Sequence, residues 1–182
     1  MFRSIILALV LIWVCGGCAV KAQEVAGQRS QELAAALDKT KYKKKEKRDF
    51  TIEFYIDIKN TPVTRVSVAE FTGSYVCESG EYKLDLKVAP DGTATGSGTE
   101  TNMRDEKRMT FTLRDGRVDG SLLRATKVYE NGSAEPLEAV FVERTTSTGK
   151  NAQTIESTDS AFGIGFIRSE KDWTNRVFLK RN

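Results

Sequence analysis

Histidine is absent from this chain. Without an imidazole there is no Ser-His-Asp or Cys-His activation of a nucleophile, no His-ligated zinc or haem, and no imidazole proton shuttle. Most hydrolase chemistry is thereby excluded. Cysteine is scarce as well: of three in the chain, Cys15 and Cys18 fall in the N-terminal segment and only Cys77 remains in the body of the sequence. No disulfide can form within that body, so a hydrophobic core must hold it together. Long apolar runs are missing apart from Ile5 to Val14, which is shorter than the roughly 20 residues a spanning helix needs. No Gly-x4-Gly-Lys-Ser/Thr run is present, so a phosphate cradle of that type is not expected. The composition implies no cofactor, no metal and no catalysis. An enzyme would have to work with carboxylates, Tyr, Lys or Cys77 alone.

What is present is ordinary in bulk and uneven in distribution. At 182 residues, 40% hydrophobic and 29% charged, the chain has room for one domain with a proper core and a tail. Residues 1–48 carry ten Lys/Arg and four Asp/Glu, whereas residues 49–182 carry eighteen and twenty-one. The basic character belongs to the N-terminal quarter, and the part expected to fold is mildly acidic. A nucleic-acid-binding domain carries its basic patch on its own fold, so no nucleic-acid partner is expected.

Residues 1–22 read as a signal peptide. Arg3 supplies the positive n-region, Ile5 to Val14 the apolar h-region, and Gly16, Gly17 and Ala19 the small residues that follow. Two processing sites compete. Cleavage after Ala22 would use Val20 and Ala22 as the small residues. The stretch Val14-Cys15-Gly16-Gly17-Cys18 resembles the lipobox of bacterial lipoproteins, and that resemblance implies lipidation of Cys18, which would become the new N-terminus. The chain is expected to be exported, either as a periplasmic or outer-membrane-anchored lipoprotein or as a free secreted protein.

Residues 23–49 form a helical, basic tail. Val25, Leu33, Ala36 and Leu37 recur at roughly helical spacing, and Glu32 to Leu37 has high helix propensity. The stripe is thin, which predicts weak docking. Lys43, Lys44, Lys45, Lys47 and Arg48 follow. They suit contact with an anionic membrane surface, each basic residue contributing about 1 kcal/mol. They equally suit a solvated helix end. Tyr42 is the only aromatic among them, too few for single-stranded nucleic acid.

Residues 50–70 read as a β arm. Ile52, Phe54, Ile56 and Ile58 alternate with polar residues, Asn60-Thr61-Pro62 ends that strand, and Val63 to Val68 runs back as a second. Residues 71–182 read as the main domain, punctuated by Pro90-Asp91-Gly92, Asp115-Gly116 and Asn131-Gly132. Such pairs permit the positive φ angles of tight hairpins, so they predict an antiparallel meander. Tyr82, Leu84, Leu86 and Val88 alternate with polar residues, as in a strand with one wet face. The return strand, Thr93 to Thr99, holds only Ala, Thr, Ser and Gly. Its Gly96 and Gly98 predict a bend or the close approach of another backbone. A bulge is expected at Gly120 within a strand from Arg117 to Tyr129, and the polar stretch Thr145 to Ser160 as the longest loop. Strands ending in Phe166 and beginning at Trp173 complete about eight, joined locally and without helices. That is the requirement of an up-and-down barrel; a two-sheet sandwich would need longer crossings.

The pattern resembles the calycin group: lipocalins, fatty-acid-binding proteins and avidins. Gly73-Ser74-Tyr75 stands where lipocalins carry Gly-x-Trp, with Arg176 or Lys180 as the basic residue that would pack over the ring. The resemblance implies a mainly β, lipocalin-like barrel preceded by a helix and a short arm, with a mouth able to bind an apolar ligand. Leu84, Leu86, Phe111, Phe141, Ile164 and Phe166 would point inward, lining either a pocket for an apolar small molecule or lipid, or a dry core. Trp173 would stack on a ligand at the mouth or close the core. Cys77, within a strand from Gly73 to Ser79, is expected as a buried thiol. Glu130, Glu135, Glu138 and Glu143 are expected on the solvated surface, because a period of two scatters them over both faces. Two functions follow: an exported, envelope-associated, non-catalytic ligand-binding module, or an interaction protein with a solid barrel and an envelope protein partner of unknown identity.

Overall fold

The computed structural model describes residues 2–38, 54–101, 105–150, 153–158, 162–170 and 173–182; the side chains of residues 2–19, 54–55, 150, 153–158, 167–170 and 173–176 lie outside that description. The chain is one helix followed by ten strands: α1 (Phe2–Leu37), β1 (Phe54–Pro62), β2 (Gly73–Val76), β3 (Tyr82–Val88), β4 (Thr93–Thr101), β5 (Arg108–Asp119), β6 (Leu122–Tyr129), β7 (Ala134–Lys150), β8 (Gln153–Thr158), β9 (Gly163–Glu170) and β10 (Trp173–Arg181). Strands β2 to β7 pair in sequence, β9 pairs with β10, β10 returns to β2, and β9 pairs with β7. Eight antiparallel strands thus close into a barrel, which leaves no open edge within the ring. β1 and β8 stand outside it. Each pairs with the second half of β7, Val142 to Lys150 on β1 and Thr145 to Lys150 on β8.

The alternation in the strands does what the hydrophobic pattern requires. Tyr82, Leu84, Leu86 and Val88 are buried and their neighbours are not. Phe111, Leu113 and Val118 from β5, Leu123 and Ala125 from β6, and Leu137, Ala139 and Phe141 from β7 complete one interior cluster. Gly96 and Gly98 are sites of close approach: a Cβ at Gly98 would strike the Lys83 carbonyl oxygen and the Phe111 ring, and one at Gly96 the Asp85 carbonyl oxygen. A register shift between Ala94 and Ser97 bends the strand there.

Four local readings are corrected by the fold. Asp115-Gly116 is a bulge inside β5, with Asp115 at φ +52° and a register shift against β6 between Arg114 and Arg117. The hairpin turn falls instead at Gly120, which takes φ +58°. Both dipeptides permit positive φ, and only strand pairing chooses between them. Thr145 to Ser160 is strand wherever it is described: β7 runs on to Lys150, and β8 returns over Gln153–Thr158. β-Branched Thr suits an extended strand, and the backbone pairs with β1 and β8. Val63 to Val68 is not a return strand either. It passes into a 3-10 turn over Val68–Phe71, and Val63 and Phe71 join the barrel interior. Cys77 lies just past β2 and is half-exposed; its sulfur accepts the Tyr82 N–H at 3.1 Å and sits 3.1 Å from Ser79 Oγ.

α1 packs on the outside of the barrel. Ala26, Leu33, Ala34 and Leu37 bury against Leu122, Val140 and Val142, with Phe178 beside them. The docked face is therefore rotated from the expected one, since Val25 is 56% exposed and Ala36 only half-buried. Alanines allow the close approach that decides the face. Leu37 rests over Gly165, where any Cβ would overlap its side chain. The seam is flanked by ion pairs: Arg29 donates to Glu138 Oε2 at 2.7 Å, and Arg124 reaches Glu138 Oε1 at 3.4 Å. Asp38 Oδ1 accepts the Asn60 backbone N–H at 2.5 Å.

Candidate functional site

The barrel interior is the place for a ligand, and among the described residues it is full. Leu84, Leu86, Phe111, Phe141, Ile164 and Phe166 all point inward, none more than 6% exposed. Tyr82 meets Phe166 edge to face at 5.4 Å between centroids. The void enclosed by Tyr82, Leu84, Phe111, Ile164 and Phe166, with Lys127, Leu137, Ala139 and Leu179, is about 10 Å3, the space of about one water molecule. The six residues expected to line a pocket or form a dry core form the core.

One end of the interior is stoppered by the chain before β2. The Phe71 ring stacks on Phe141 at 3.9 Å and meets Phe162 edge-on at 5.2 Å. The Tyr75 hydroxyl donates to the Phe71 carbonyl at 2.6 Å, which ties the stopper to the first barrel strand. Burial pushes the Tyr75 phenol well above its ordinary range, against a smaller opposing effect of Arg181, so it stays a neutral donor. Arg181, and not Arg176 or Lys180, is the basic residue whose packing at this corner is described: its guanidinium lies 4.9 Å from the Phe162 ring centre. Lys180 reaches Glu78 at 3.9 Å, and the Arg176 side chain is outside the described residues.

Where β4 and β6 end and β7 begins, the interior becomes polar. Glu100 and Lys127 are buried, at 0% and 3% exposure, and Lys127 Nζ lies 3.0 Å from Glu100 Oε2. The Tyr129 hydroxyl accepts from Lys127 Nζ at 2.6 Å and lies 2.6 Å from Glu100 Oε1 and 3.0 Å from Glu135 Oε2. Glu135 also approaches Lys127 Nζ at 3.3 Å and is the member that reaches solvent. The ammonium sits 5.5 Å and 5.1 Å from the ring centres of Phe111 and Tyr129. Burial first, and then the Glu100 and Glu135 carboxylates, push the Tyr129 phenol far above its usual range. It cannot serve as a phenolate base near neutral pH. The cluster bridges β4, β6 and β7 across the end of the barrel, and so ties strands that are not all neighbours. Such buried pairs fix geometry more than they add stability.

The remaining expected sites are dispersed. Of the four clustered glutamates only Glu130 is simply exposed; Glu135 joins the interior network, Glu138 pairs with Arg29 and Arg124, and Glu143 with Arg65 at 2.8 Å. They face different partners and form no carboxylate dyad. Trp173 opens β10, its Cα in register with Glu170, and its side chain lies outside the described residues. Cys18 lies along α1, with its side chain likewise outside, and Lys43, Lys44, Lys45, Lys47 and Arg48 fall wholly outside the described residues. Glu100, Lys127 and Tyr129 were not among the expected functional residues. A signal for them exists: counting back by two from Tyr129 places Lys127 in phase with Ala125 and Leu123, on the inward face.

Comparison of the chain with protein-family models, with curated proteins and with solved structures finds no match in any of the three.

Proposed function

We propose that this chain is an exported, envelope-tethered, non-catalytic β-barrel whose interior is solid and whose outer surface does the binding. The observation that carries this reading is the 10 Å3 interior void. A carrier of apolar small molecules or lipids works with a cavity of about 300–1,000 Å3, and the side chains here occupy that space. A solid barrel leaves the exterior for recognition. The region that departs most from a closed ring is the three-stranded extension β1-β7-β8, where among the described residues β1 and β8 each pair on one side only, with β7. Strand addition to such a sheet is a standard mode of peptide recognition, and it suits an envelope protein partner. The leader supports export, and the lipobox-like run ending at Cys18 supports tethering by lipid.

Native mass spectrometry of the chain made in a bacterium with its own leader tests the reading. Acyl mass on Cys18 and no other bound mass is the expected result. A chain beginning at Gln23 would remove the tether, and a co-purifying non-covalent small molecule would restore the carrier.

A further inference from the structure

The apolar contacts of the described residues fall into two separate clusters. One is the barrel interior. The other is the seam under α1, made by Ala26, Leu33, Ala34 and Leu37 on the helix and Leu122, Val140 and Val142 on the barrel. None of these seam residues belongs to the interior cluster. The helix itself depends on that seam: from Cys18 to Leu37 it is 20 residues long, and most helical stability in proteins comes from packing an apolar face rather than from propensity. Its helicity and its docking should therefore be lost together. Nor is the seam closely packed throughout. A groove of about 250 Å3 opens beside Gln23, Ala26, Gly27 and Ser30, against Val63 to Val68 and the Gly120 turn. Upstream of it Val20 is 66% exposed. The leader end of the helix is the loosely held end.

We propose that α1 is a releasable strap that sets how far the barrel reaches from its anchor. This rests on the reading of Cys18 as the lipidated N-terminus. With α1 docked, the helix runs unbroken from Cys18 to Ala26, eight residues or about 12 Å, so the barrel is held close to the bilayer. With α1 released, the tether becomes the chain from Cys18 to Phe54, 36 residues, which can extend to about 120 Å. The strip of Leu122, Val140 and Val142 is uncovered in the same step, and its apolar character favours re-docking. Two polar contacts latch the strap, Arg29 on Glu138 and Asp38 on the Asn60 N–H. Gly165 is the steric key, because only its missing side chain admits Leu37.

Gly165→Val in the full chain should therefore unlatch the strap without touching the interior cluster. In hydrogen exchange, amides of residues 26–37 should exchange at least tenfold faster while those of β3 to β6 keep their rates. Adding Leu37→Ala, which makes room for the new side chain, should restore protection. Unchanged exchange in Gly165→Val overturns the strap, as does an equal loss of protection in β3 to β6, which would make helix and barrel one cooperative unit. Neutron reflectometry of the processed protein on a supported bilayer then tests reach. The barrel layer should lie against the bilayer in the wild type and move outward in Gly165→Val. Identical profiles overturn the proposal. Failure of the wild type to associate with the bilayer overturns the anchor and with it the reach, whereas the exchange result reports on the strap alone.

Discussion

Lys127 shows how much one side chain can be made to carry. Its ammonium is buried between Glu100, Glu135 and Tyr129, so replacing it with Met removes the cation and leaves the Glu100 carboxylate in the interior. Removing one member of a buried pair typically costs about 3–5 kcal/mol. Lys127→Met should lower stability by that order in urea unfolding, and Lys127→Met with Glu100→Gln should cost clearly less than the two single losses added together. Additive losses would show that the pair is not coupled. Gly98 makes the opposite point, that an absent side chain can be essential. A Cβ there meets the Lys83 carbonyl and the Phe111 ring, on the two strands paired to either side of β4. Gly98→Val should destabilise by at least the ~1–3 kcal/mol of ordinary overpacking, read as a lower melting temperature by circular dichroism.

At the scale of elements, α1 and β7 are the two that do most outside their own hydrogen bonding. β7 supplies the ring through Ala139 to Val142 on β9 and then leaves it as the centre of the β1-β7-β8 extension. α1 depends in part on Glu138. The hydrogen bond from Arg29 is the largest influence on that carboxyl and holds it below the usual carboxylate range, with burial opposing and Arg124 adding to the effect. A depressed folded-state pKa contributes stability that is present above the unfolded value, about 4.3, and lost as pH falls through the folded value. Docking of α1 should thus be level from pH 8 to 5 and weaken below about pH 4. Amide exchange of residues 26–37, corrected for its intrinsic pH dependence, checks this. In Glu138→Gln the acid step should shrink, and an undiminished step would assign it to another carboxylate.

For the whole molecule, the deciding fact is that the barrel is closed, stoppered and, among the described residues, filled. Phe71 stacks into one end, and the Glu100–Lys127–Tyr129 cluster spans strands at the other end of β4 and β6. Phe111→Trp separates a filled core from a pocket. In a pocket the larger ring would occupy ligand space and reduce uptake of an apolar fluorescent probe while folding is spared. In a filled core, titration with the probe should show no uptake by either protein, and the variant should lose ~1–3 kcal/mol of stability from overpacking. Probe uptake by the wild type that disappears in the variant would return the molecule to the carriers.

The strands, their inward faces and the eight-membered ring were legible in the residues, because burial on one face imposes a period of two that any reader of the chain can follow through Tyr82 to Val88 or Leu137 to Phe141. The close approach at Gly96 and Gly98 was legible for a similar local reason. What pairing decides was not. Asp115-Gly116 and Gly120 carry the same conformational freedom, and only the register of β5 on β6 makes one a bulge and the other a turn. The polar run after Thr145 became strand because neighbours were present to satisfy its backbone. The face of α1 was settled by alanines against the barrel wall rather than by the larger Val25. Most of all, whether six inward apolar side chains enclose a pocket or fill a core depends on the volume left between them. That volume is set by strand number, tilt and the stopper at Phe71, and exists only once the barrel has closed.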